Sequence, residues 1–384
     1  MIFPVVFAIA CLLSSGSAGS PQRKAPTPKY EAATSKWRVD VRPIIGSART
    51  EWGLDHDGRR PRVSLWFIDA KTLVATLVTH ESQDKRALAD HNAPQGIPLL
   101  QLRAVFFDSA TGKAIATRDW PTESRNAGIV AVHDGKFAVQ AGNEVTLYAS
   151  DLTVVKTLTL PPLAQSDWAA YASPTGRNIL FSYATPDNDG SWIWVETDTL
   201  RIVRSWEEPR TGQVAITDDK IAMLACERVR GCEPYVEVRG LATQWETIAP
   251  GRDYPFPKFI DNSLLYLEGH FTSVILSDGA IIFAEDKPPD ACWQNWVFPA
   301  VDGQRFAVPT CGVKGGNEIL DIGGHTELKQ IRLYDSLSQK CCRVLDVKAP
   351  NVREPTGFAI SPDGLRLAIL NDKFLEVVDL PPLQ

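Results

Sequence analysis

Residues 358–382 read FAISPDGLRLAILNDKFLEVVDLPP. The stretch contains three short apolar runs separated by a Ser-Pro-Asp-Gly turn and an Asn-Asp turn, and it closes on two prolines. Short runs of this kind between Asp-Gly and Asn-Asp turns are typical of antiparallel hairpins. The same pattern of turns and short apolar runs recurs earlier in the chain, so the fold can be predicted from this repeat.

A turn followed by a short apolar strand occurs seven times, at an interval of about 42 residues except for two longer intervals. The turns are marked by Asp69, Asp134, Gly176, Asp218, Asp261, Asp302 and Asp363. Each long interval exceeds the others by about twenty residues, which is the size of one inserted loop. Prolines give the same count of seven, at Pro121, Pro161, Pro209, Pro250, Pro288, Pro350 and Pro381. Four short strands in a unit of this length predict a propeller blade.

The last unit is shorter than the others. Asp134 precedes Pro161 by 27 residues, whereas Asp363 precedes Pro381 by 18. The missing nine residues correspond to one strand and its turn. We therefore predict that the last blade takes its outer strand from WRVDVRPII, which begins at Trp37, because pairing of the two chain ends removes exposed sheet edges. The competing interpretation is a terminal fragment of an α/β protein.

The SPDG turn followed by RLAIL, with the variants HDGKFAV and VDGQRFAV, resembles the blade hairpins of YVTN and WD40-like seven-bladed propellers. These propellers occur in many secreted bacterial proteins. The resemblance covers about residues 37–384 and implies an all-β fold of four-stranded antiparallel blades. The Trp-Asp and Gly-His pairs of true WD40 repeats are not present. Members of this broad group range from protein-binding scaffolds to lactonases and dehydrogenases, so the resemblance implies the fold and leaves the function open.

Residues 1–18 carry no charge and consist of an apolar run followed by small residues. This pattern predicts a signal peptide cleaved near Ala18, with a lipid anchor at Cys11 as the alternative. Residues 19–36 read as a polar linker, and residues 37–384 as a single propeller domain. No other apolar run reaches the ~18 residues of a membrane helix. We therefore expect a secreted or periplasmic protein with no membrane span, and a monomer.

The formal net charge is −6, and the largest basic cluster is the short GRRPR segment. A nucleic-acid partner is therefore not expected, because binding its backbone requires a basic face. Six cysteines remain after the leader, and an even number in an exported chain predicts disulfides. Hairpin geometry pairs Cys226 with Cys232 and Cys292 with Cys311. Cys341 and Cys342 are adjacent, and the sequence leaves open a vicinal bridge or two thiols.

Both long intervals fall between the second and third strands of a blade, at residues 81–98 and 310–330. In a propeller these loops emerge on the same face as the loops that join one blade to the next. Long irregular loops are uncommon without a use, so they would form a lid or a partner-binding rim. The alternative is surface variation without a role.

The loops between blades surround the predicted channel mouth and carry arginines and acids. The candidates are Glu123, Arg125, Asp167, Arg210, Arg252, Asp253, Asp290, Arg353 and Glu354. Convergent arginines would hold a carboxylate or phosphate by bidentate contacts. The favoured alternative is that these charges pair with one another and tie the blades together.

Three histidines, His91, His270 and His325, would lie on the same face and offer nitrogen ligands for zinc. No spacing motif supports a metal site, so no metal and no cofactor is predicted.

TPDNDGSWIWVE places Asp187, Asp189 and Glu196 at calcium-loop offsets, but its first ligand position is Thr185, so a polar hairpin turn is favoured. Trp192 and Trp194 share a sheet face, and packing between blades is favoured over a sugar-binding platform.

The sequence contains no Gly-x-Ser-x-Gly elbow, His-Glu-x-x-His pair, phosphate-binding Gly-Lys-Ser/Thr loop or dinucleotide fingerprint. Propeller enzymes collect single residues from many blades, so this search does not exclude one. We expect a binding scaffold that acts through the face carrying the two insertions. The alternative is a lactonase-type hydrolase with its site at the channel mouth, and a third possibility is glycan recognition by exposed aromatic residues.

Overall fold

The protein is described from a computed structural model. It covers residues 29–32, 34–41, 43, 63–80, 100–122, 127–162, 168–184, 190–208, 214–226, 234–240, 246–250, 256–268, 272–277, 280–286, 297–300, 304–314, 325–338, 341–349, 358–370 and 374–382. Within these ranges the regular structure is β-strand, apart from one 3-10 turn at His133–Gly135 and a single helical residue at position 43. No helix in this part of the chain has the length and apolar character of a membrane span.

The strands form seven sheets, six with four strands and one with five. The first two strands, which join later sheets, are β1 (Lys29–Ala32) and β2 (Ser35–Asp40). Sheet 1 contains β3 (Val63–Phe67), β4 (Thr72–His80), β5 (Leu100–Asp108) and β6 (Ala114–Thr122). Sheet 2 contains β7 (Gly128–Ala131), β8 (Phe137–Ala141), β9 (Glu144–Tyr148) and β10 (Val154–Thr159). Sheet 3 contains β11 (Ala169–Ala172), β12 (Asn178–Ala184), β13 (Gly190–Glu196) and β14 (Arg201–Glu208).

The remaining four sheets follow in chain order. Sheet 4 contains β15 (Val214–Ile216), β16 (Lys220–Cys226), β17 (Pro234–Gly240) and β18 (Glu246–Pro250). Sheet 5 contains β19 (Phe256–Phe259), β20 (Leu264–Glu268), β21 (Thr272–Ser277) and β22 (Ala280–Asp286). Sheet 6 contains β23 (Phe298–Ala300), β24 (Arg305–Lys314), β25 (His325–Asp335) and β26 (Cys341–Ala349), with β1 at its outer edge. Sheet 7 contains β27 (Phe358–Ile360), β28 (Arg366–Leu370) and β29 (Phe374–Asp379), with β2 at its outer edge.

The hydrophobic core lies between the sheets, because the alternating apolar side chains of each sheet pack against the next one. Seven clusters of buried residues each join two consecutive sheets. One of them joins sheet 7 back to sheet 1, with Leu375 and Val377 packed among residues such as Leu73 and Phe107. The sheets therefore form a closed ring, and the fold is an all-β propeller.

The N-terminal segment closes this ring. β2 pairs antiparallel with β29, from Ser35 opposite Val378 to Asp40 opposite Phe374. The strand expected from Trp37 thus begins two residues earlier and ends at Asp40. β1 adds a parallel strand to sheet 6 by pairing with β26. The expected polar linker over residues 19–36 is therefore corrected, since its residues 29–32 and 35–36 belong to strands that each extend a sheet.

In six of the sheets the third and fourth strands pair with a register shift. A bulge increases the local twist of the strand that carries it. The pair β2 and β29 shows the same irregularity between Ser35 and Trp37, so β2 occupies in sheet 7 the position that the fourth strand occupies elsewhere.

At two of the turns that mark the repeat, the aspartate side chain organises the first turn of the unit. The Asp69 carboxylate accepts hydrogen bonds from the backbone N–H groups of Lys71 and Thr72, both at 2.7 Å. Asp261 accepts from the N–H groups of Ser263 and Leu264 at 2.7 and 2.8 Å. These contacts hold the turn between the first and second strands of a sheet.

Candidate functional site

The nine charged residues predicted at the channel mouth lie outside the described residues. They are Glu123, Arg125, Asp167, Arg210, Arg252, Asp253, Asp290, Arg353 and Glu354. The same holds for the loop at residues 81–98 and for His91 and His270, and for His325 only the strand position is described. A carboxylate, phosphate or zinc site built from these residues stays a prediction.

The structure does not describe the side chains of the four cysteines in the predicted disulfides. Cys232 and Cys292 lie outside the described residues, and only the strand positions of Cys226 and Cys311 are described. Cys341 is a thiol, and its Sγ lies 3.4 Å from the carbonyl oxygen of Arg343, to which it donates. A vicinal bridge between Cys341 and Cys342 is therefore not formed.

The interpretation of TPDNDGSWIWVE as a hairpin is confirmed. β12 and β13 pair antiparallel out to Ala184 opposite Gly190, and the side chain of Glu196 binds Arg201 within the same sheet. Asp187 and Asp189 lie outside the described residues. Trp192 and Trp194 are each 1% exposed, in the cluster between sheets 3 and 4. A sugar platform at these two residues is wrong, because their ring faces are buried.

The second predicted insertion, residues 310–330, is in large part a β-ladder. β24 and β25 stay paired out to Lys314 opposite His325, which leaves residues 315–324 between them. The expectation of a loop from 310 is corrected, because residues 310–314 and 325–330 belong to the two paired strands. In sheet 1, β4 and β5 extend in the same way to His80 opposite Leu100.

These two hairpins are the longest second-to-third-strand ladders of the described chain, and they flank a short one. The second strand follows the first turn in each sheet, so the ladders start at comparable positions. In sheet 7 the ladder of β28 and β29 is five residues long and ends at Leu370 opposite Leu375. β4 has nine residues and β24 has ten. At about 3.3 Å per residue the flanking hairpins extend roughly 13–17 Å further.

We call the region between the described ends of β4–β5 and β24–β25, beyond the described end of β28–β29, the hairpin cleft. The face on which it lies is the hairpin face, and the opposite face, formed by turns within each sheet, is the turn face. The sequence located both insertions, but their relation to the short last unit depends on the order of the sheets around the ring.

Side chains on the turn face link neighbouring sheets. Arg305 is 3% exposed, and its Nη1 donates a hydrogen bond to the carbonyl oxygen of Gly364 in sheet 7 at 2.8 Å. Arg366 in sheet 7 donates through Nη1 to the carbonyl oxygen of Ala70 in sheet 1 at 2.6 Å. Each guanidinium satisfies backbone acceptors of the next sheet, so these charges have a structural role.

Asp218 joins three sheets at this face. Its carboxylate accepts hydrogen bonds from Thr175 Oγ1 and Asn178 Nδ2 of sheet 3, at 2.6 and 3.3 Å, and from Asn262 Nδ2 of sheet 5, at 2.9 Å. Burial by itself raises the pKa of the Asp218 carboxyl, but these hydrogen bonds outweigh burial and hold the pKa below its usual 3.8. Asp218 is therefore a structural tie in its ionised form.

His133, Asp134 and Asp198 form the group of possible metal ligands found among the described residues, with ligand atoms within 4.8 Å of one another. Nδ1 of His133 lies 2.8 Å from Asp134 Oδ2, and Nε2 lies 2.7 Å from Asp198 Oδ1 at an angle unfavourable for a hydrogen bond. Lys136 Nζ lies 3.2 Å from the same Asp198 oxygen. The two carboxylates contact opposite sides of one ring, and Lys136 competes for one of them, so the group fits a polar contact between sheets 2 and 3 better than a metal.

The central channel is lined by the innermost strands β3, β7, β11, β15, β19, β23 and β27. As the structure describes them, these strands are apolar apart from Ser64, Tyr171 and Lys258. The side chain of Lys258 is exposed to water, although protein surrounds it closely enough that desolvation lowers its pKa from the ordinary 10.5. Both properties fit a position on the innermost strand of a sheet, where solvent reaches the side chain and the other sheets lie around it. The sequence analysis missed Lys258, because one lysine within FPKF carries no signal of its position.

No protein-family model and no curated protein matches the sequence. Among solved structures, the chain is similar to an uncomplexed acylaminoacyl peptidase from Pyrococcus horikoshii, with 12% identity and a TM-score of 0.52, over 86% of this chain and 54% of that one. It is similar to an uncharacterised protein from Listeria monocytogenes EGD-e, with 10% identity and a TM-score of 0.50, over 84% and 96%. The β-propeller domain of the trilobed protease from Pyrococcus furiosus matches with 13% identity and a TM-score of 0.49, over 84% and 96%. The chain thus spans about half the length of the peptidase, and these likenesses concern the fold alone.

Proposed function

We propose that this protein is an exported, seven-bladed propeller that acts as a binding scaffold and holds its partner in the hairpin cleft. Each of the seven sheets is one blade, and β2 supplies the fourth strand of the last. The signal peptide at residues 1–18 is cleaved near Ala18 and delivers the mature chain to the periplasm or the exterior.

The observation that carries this proposal is the length of the β4–β5 and β24–β25 hairpins on either side of the short β28–β29 hairpin. Paired strands keep their backbone groups satisfied, so such extensions are rigid walls rather than loose loops. A concave surface with rigid walls orders few groups when a partner binds, which lowers the entropic cost of association.

The opposite face supports the same assignment. Its charged side chains, such as Arg305, Arg366 and Asp218, already bind backbone or side-chain groups of neighbouring sheets. A partner would have to break these contacts to use them. The hairpin face is therefore the better candidate for recognition.

A lactonase-type hydrolase would require the acids of the channel mouth, such as Asp167 and Asp290, to converge. These residues lie outside the described part of the chain, and no geometry favours this alternative. It enters the experiments below as an outcome that would replace the scaffold assignment.

The test places a photo-crosslinking residue at position 314, at the end of β24, and in a matched variant at position 151 on the turn face. We expect a discrete crosslinked product from position 314 in extracts of the native compartment and none from position 151. Replacing residues 81–99 with an Asn-Gly turn, which joins His80 to Leu100 as a tight hairpin, should remove that product while the unfolding temperature is retained.

Equal crosslinking from both positions, or a product that survives the loop replacement, would contradict the assignment. Thermal unfolding against lactones, divalent metals and oligosaccharides separates the alternatives. A ligand at a hundred times its dissociation constant stabilises the fold by about 2.7 kcal/mol. Stabilisation by a lactone, followed by its turnover, would favour the hydrolase.

A further inference from the structure

The outer edge of sheet 5 is an exposed apolar strand. β22 is the last strand of this sheet, and among the described strands none pairs with its outer edge. Its first five residues, Ala280–Ala284, read AIIFA and are all apolar. Ile281 is 63% exposed and Ile282 is 43% exposed. Such an edge offers N–H and C=O groups together with an apolar surface, which makes it a template for a further strand.

The outermost strands of the other sheets carry charged residues where β22 carries none. Each of them has a charge among its first five residues, whereas the first charge of β22 is its sixth residue, Glu285. Charged side chains on an edge strand oppose pairing with another strand, so these edges are protected and that of β22 is not. The protecting charges are Arg118 in β6, Lys156 in β10, Arg201 and Arg204 in β14, Glu246 in β18, Arg343 in β26 and Lys36 in β2.

Sheet 6 shows that a fourth strand of this ring accepts a fifth one. β1 pairs with the outer edge of β26 over Arg343–Asp346, directly after the bulge of that strand. β22 has a bulge at the equivalent place, because Ile281 and Phe283 pair with consecutive residues of β21 and leave Ile282 as the extra residue. An added strand on β22 would therefore repeat an arrangement that the chain already contains.

The sequence of the β22 edge favours a second copy of this chain as the added strand. A two-fold interface joins the same patch of both copies, so the patch must be complementary to itself. AIIFA reads nearly the same in both directions. Antiparallel pairing centred on Ile282 places Ala280 opposite Ala284 and Ile281 opposite Phe283 of the other copy. Every pair in this stretch is apolar, and no charge lies opposite a like charge.

We propose that two copies of this protein associate through the outer edges of β22, which pair antiparallel about Ile282 and join the two four-stranded sheets. The interface lies on the outer side of sheet 5 and does not depend on the scaffold function. One strand pair is small beside the about 1,200–2,000 Å² of standard stable interfaces, so the dissociation constant should be on the order of 10–100 μM. Such a dimer would replace the monomer expected from the sequence.

The test is sedimentation velocity of the full mature chain at increasing concentration, for wild type, Ile282→Lys and Ile282→Glu. The proposed pairing places residue 282 opposite itself, so each variant sets two like charges against each other and should weaken association at least about tenfold. An equimolar mixture of the two variants sets lysine against glutamate and should restore association. Val155→Lys is the matched control, because Val155 is 49% exposed and is the extra residue of the bulge in β10.

We expect wild type and Val155→Lys to dimerise equally, and each Ile282 variant alone to remain monomeric with the unfolding temperature of wild type. A wild type that stays monomeric at every concentration would overturn the proposal and leave this edge to a strand of another protein. Loss of the dimer in Val155→Lys, or a mixture that does not associate, would refute pairing about Ile282. The variant with residues 81–99 replaced should still dimerise, so failure of the scaffold function and failure of this interface can be told apart.

Discussion

Replacement of Gly112 by alanine tests how the N-terminal strand is fastened to sheet 1. Gly112 has a φ of +74°, and a Cβ atom placed on it would lie 2.6 Å from Cε3 of Trp37. The same tryptophan donates from Nε1 to the carbonyl oxygen of Ser109 at 2.9 Å. Trp37 of β2 thus lies against the β5–β6 turn, and the contact crosses from sheet 7 to sheet 1.

Two separate costs arise in the Gly112→Ala variant. An alanine in the left-handed region costs about 1 kcal/mol, and displacement of a packed indole ring costs about 1–3 kcal/mol more. Trp37→Ala alone should cost about 2–4 kcal/mol, somewhat less than a fully buried tryptophan, because the side chain is half-buried. In the double variant the ring is gone, so Gly112→Ala should cost only the backbone strain.

The expected result is therefore a coupling free energy of about 1–3 kcal/mol in a double-mutant cycle, with the double variant more stable than additivity predicts. Equilibrium urea unfolding measures the four free energies. Gly142→Ala is the matched control, because Gly142 has a φ of +66° and no atom within 4 Å of its added Cβ. It should cost the same with and without Trp37. If the cost of Gly112→Ala does not change in the Trp37→Ala background, the contact between β2 and sheet 1 is refuted.

Three further predictions concern the ring and its charges. Removal of residues 1–33 deletes β1 and should lower the unfolding temperature only modestly, whereas removal of residues 1–41 also deletes β2, opens sheet 7 and should lower it sharply; similar values for the two truncations would contradict closure by β2. Asp218→Asn should destabilise the fold at neutral pH. Because the pKa of Asp218 lies below 3.8 in the folded state, wild type should be more stable than the variant above pH 3.8, and the difference should disappear as the pH falls through the folded pKa. A difference in the free energy of unfolding that stays constant with pH would contradict the role of the ionised carboxylate. Because the pKa of Lys258 is lowered in the folded state, its charge costs the most stability below the folded pKa, and that cost disappears as the pH rises towards 10.5. Lys258→Met should therefore leave the free energy of unfolding unchanged or higher at neutral pH, and should flatten its rise in the alkaline range. A loss of stability in this variant would argue for a native partner of Lys258.

The turn positions were predictable from the sequence because their cause is local. Aspartates such as Asp69 and Asp261 accept hydrogen bonds from the backbone N–H groups two and three residues further along, and such contacts depend only on residues close in the chain. The deficit in the last unit was predictable too, since a missing strand shortens the distance from Asp363 to Pro381. The parallel strand β1 was not, because four residues that join a sheet edge through their backbone leave no side-chain pattern.

The sequence by itself determined the repeat, the alternation of each strand and the need for an N-terminal strand, because each depends on contacts between residues close in the chain or on counting units. The tertiary structure decided which distant residues meet. Asp218 ties sheets 3 and 5 only because sheet 4 lies between them. Lys258 faces a channel only because seven sheets surround it, and the hairpin cleft exists only because ring closure places sheet 7 between sheets 6 and 1. Such relations depend on the closed ring, so no local pattern of residues encodes them.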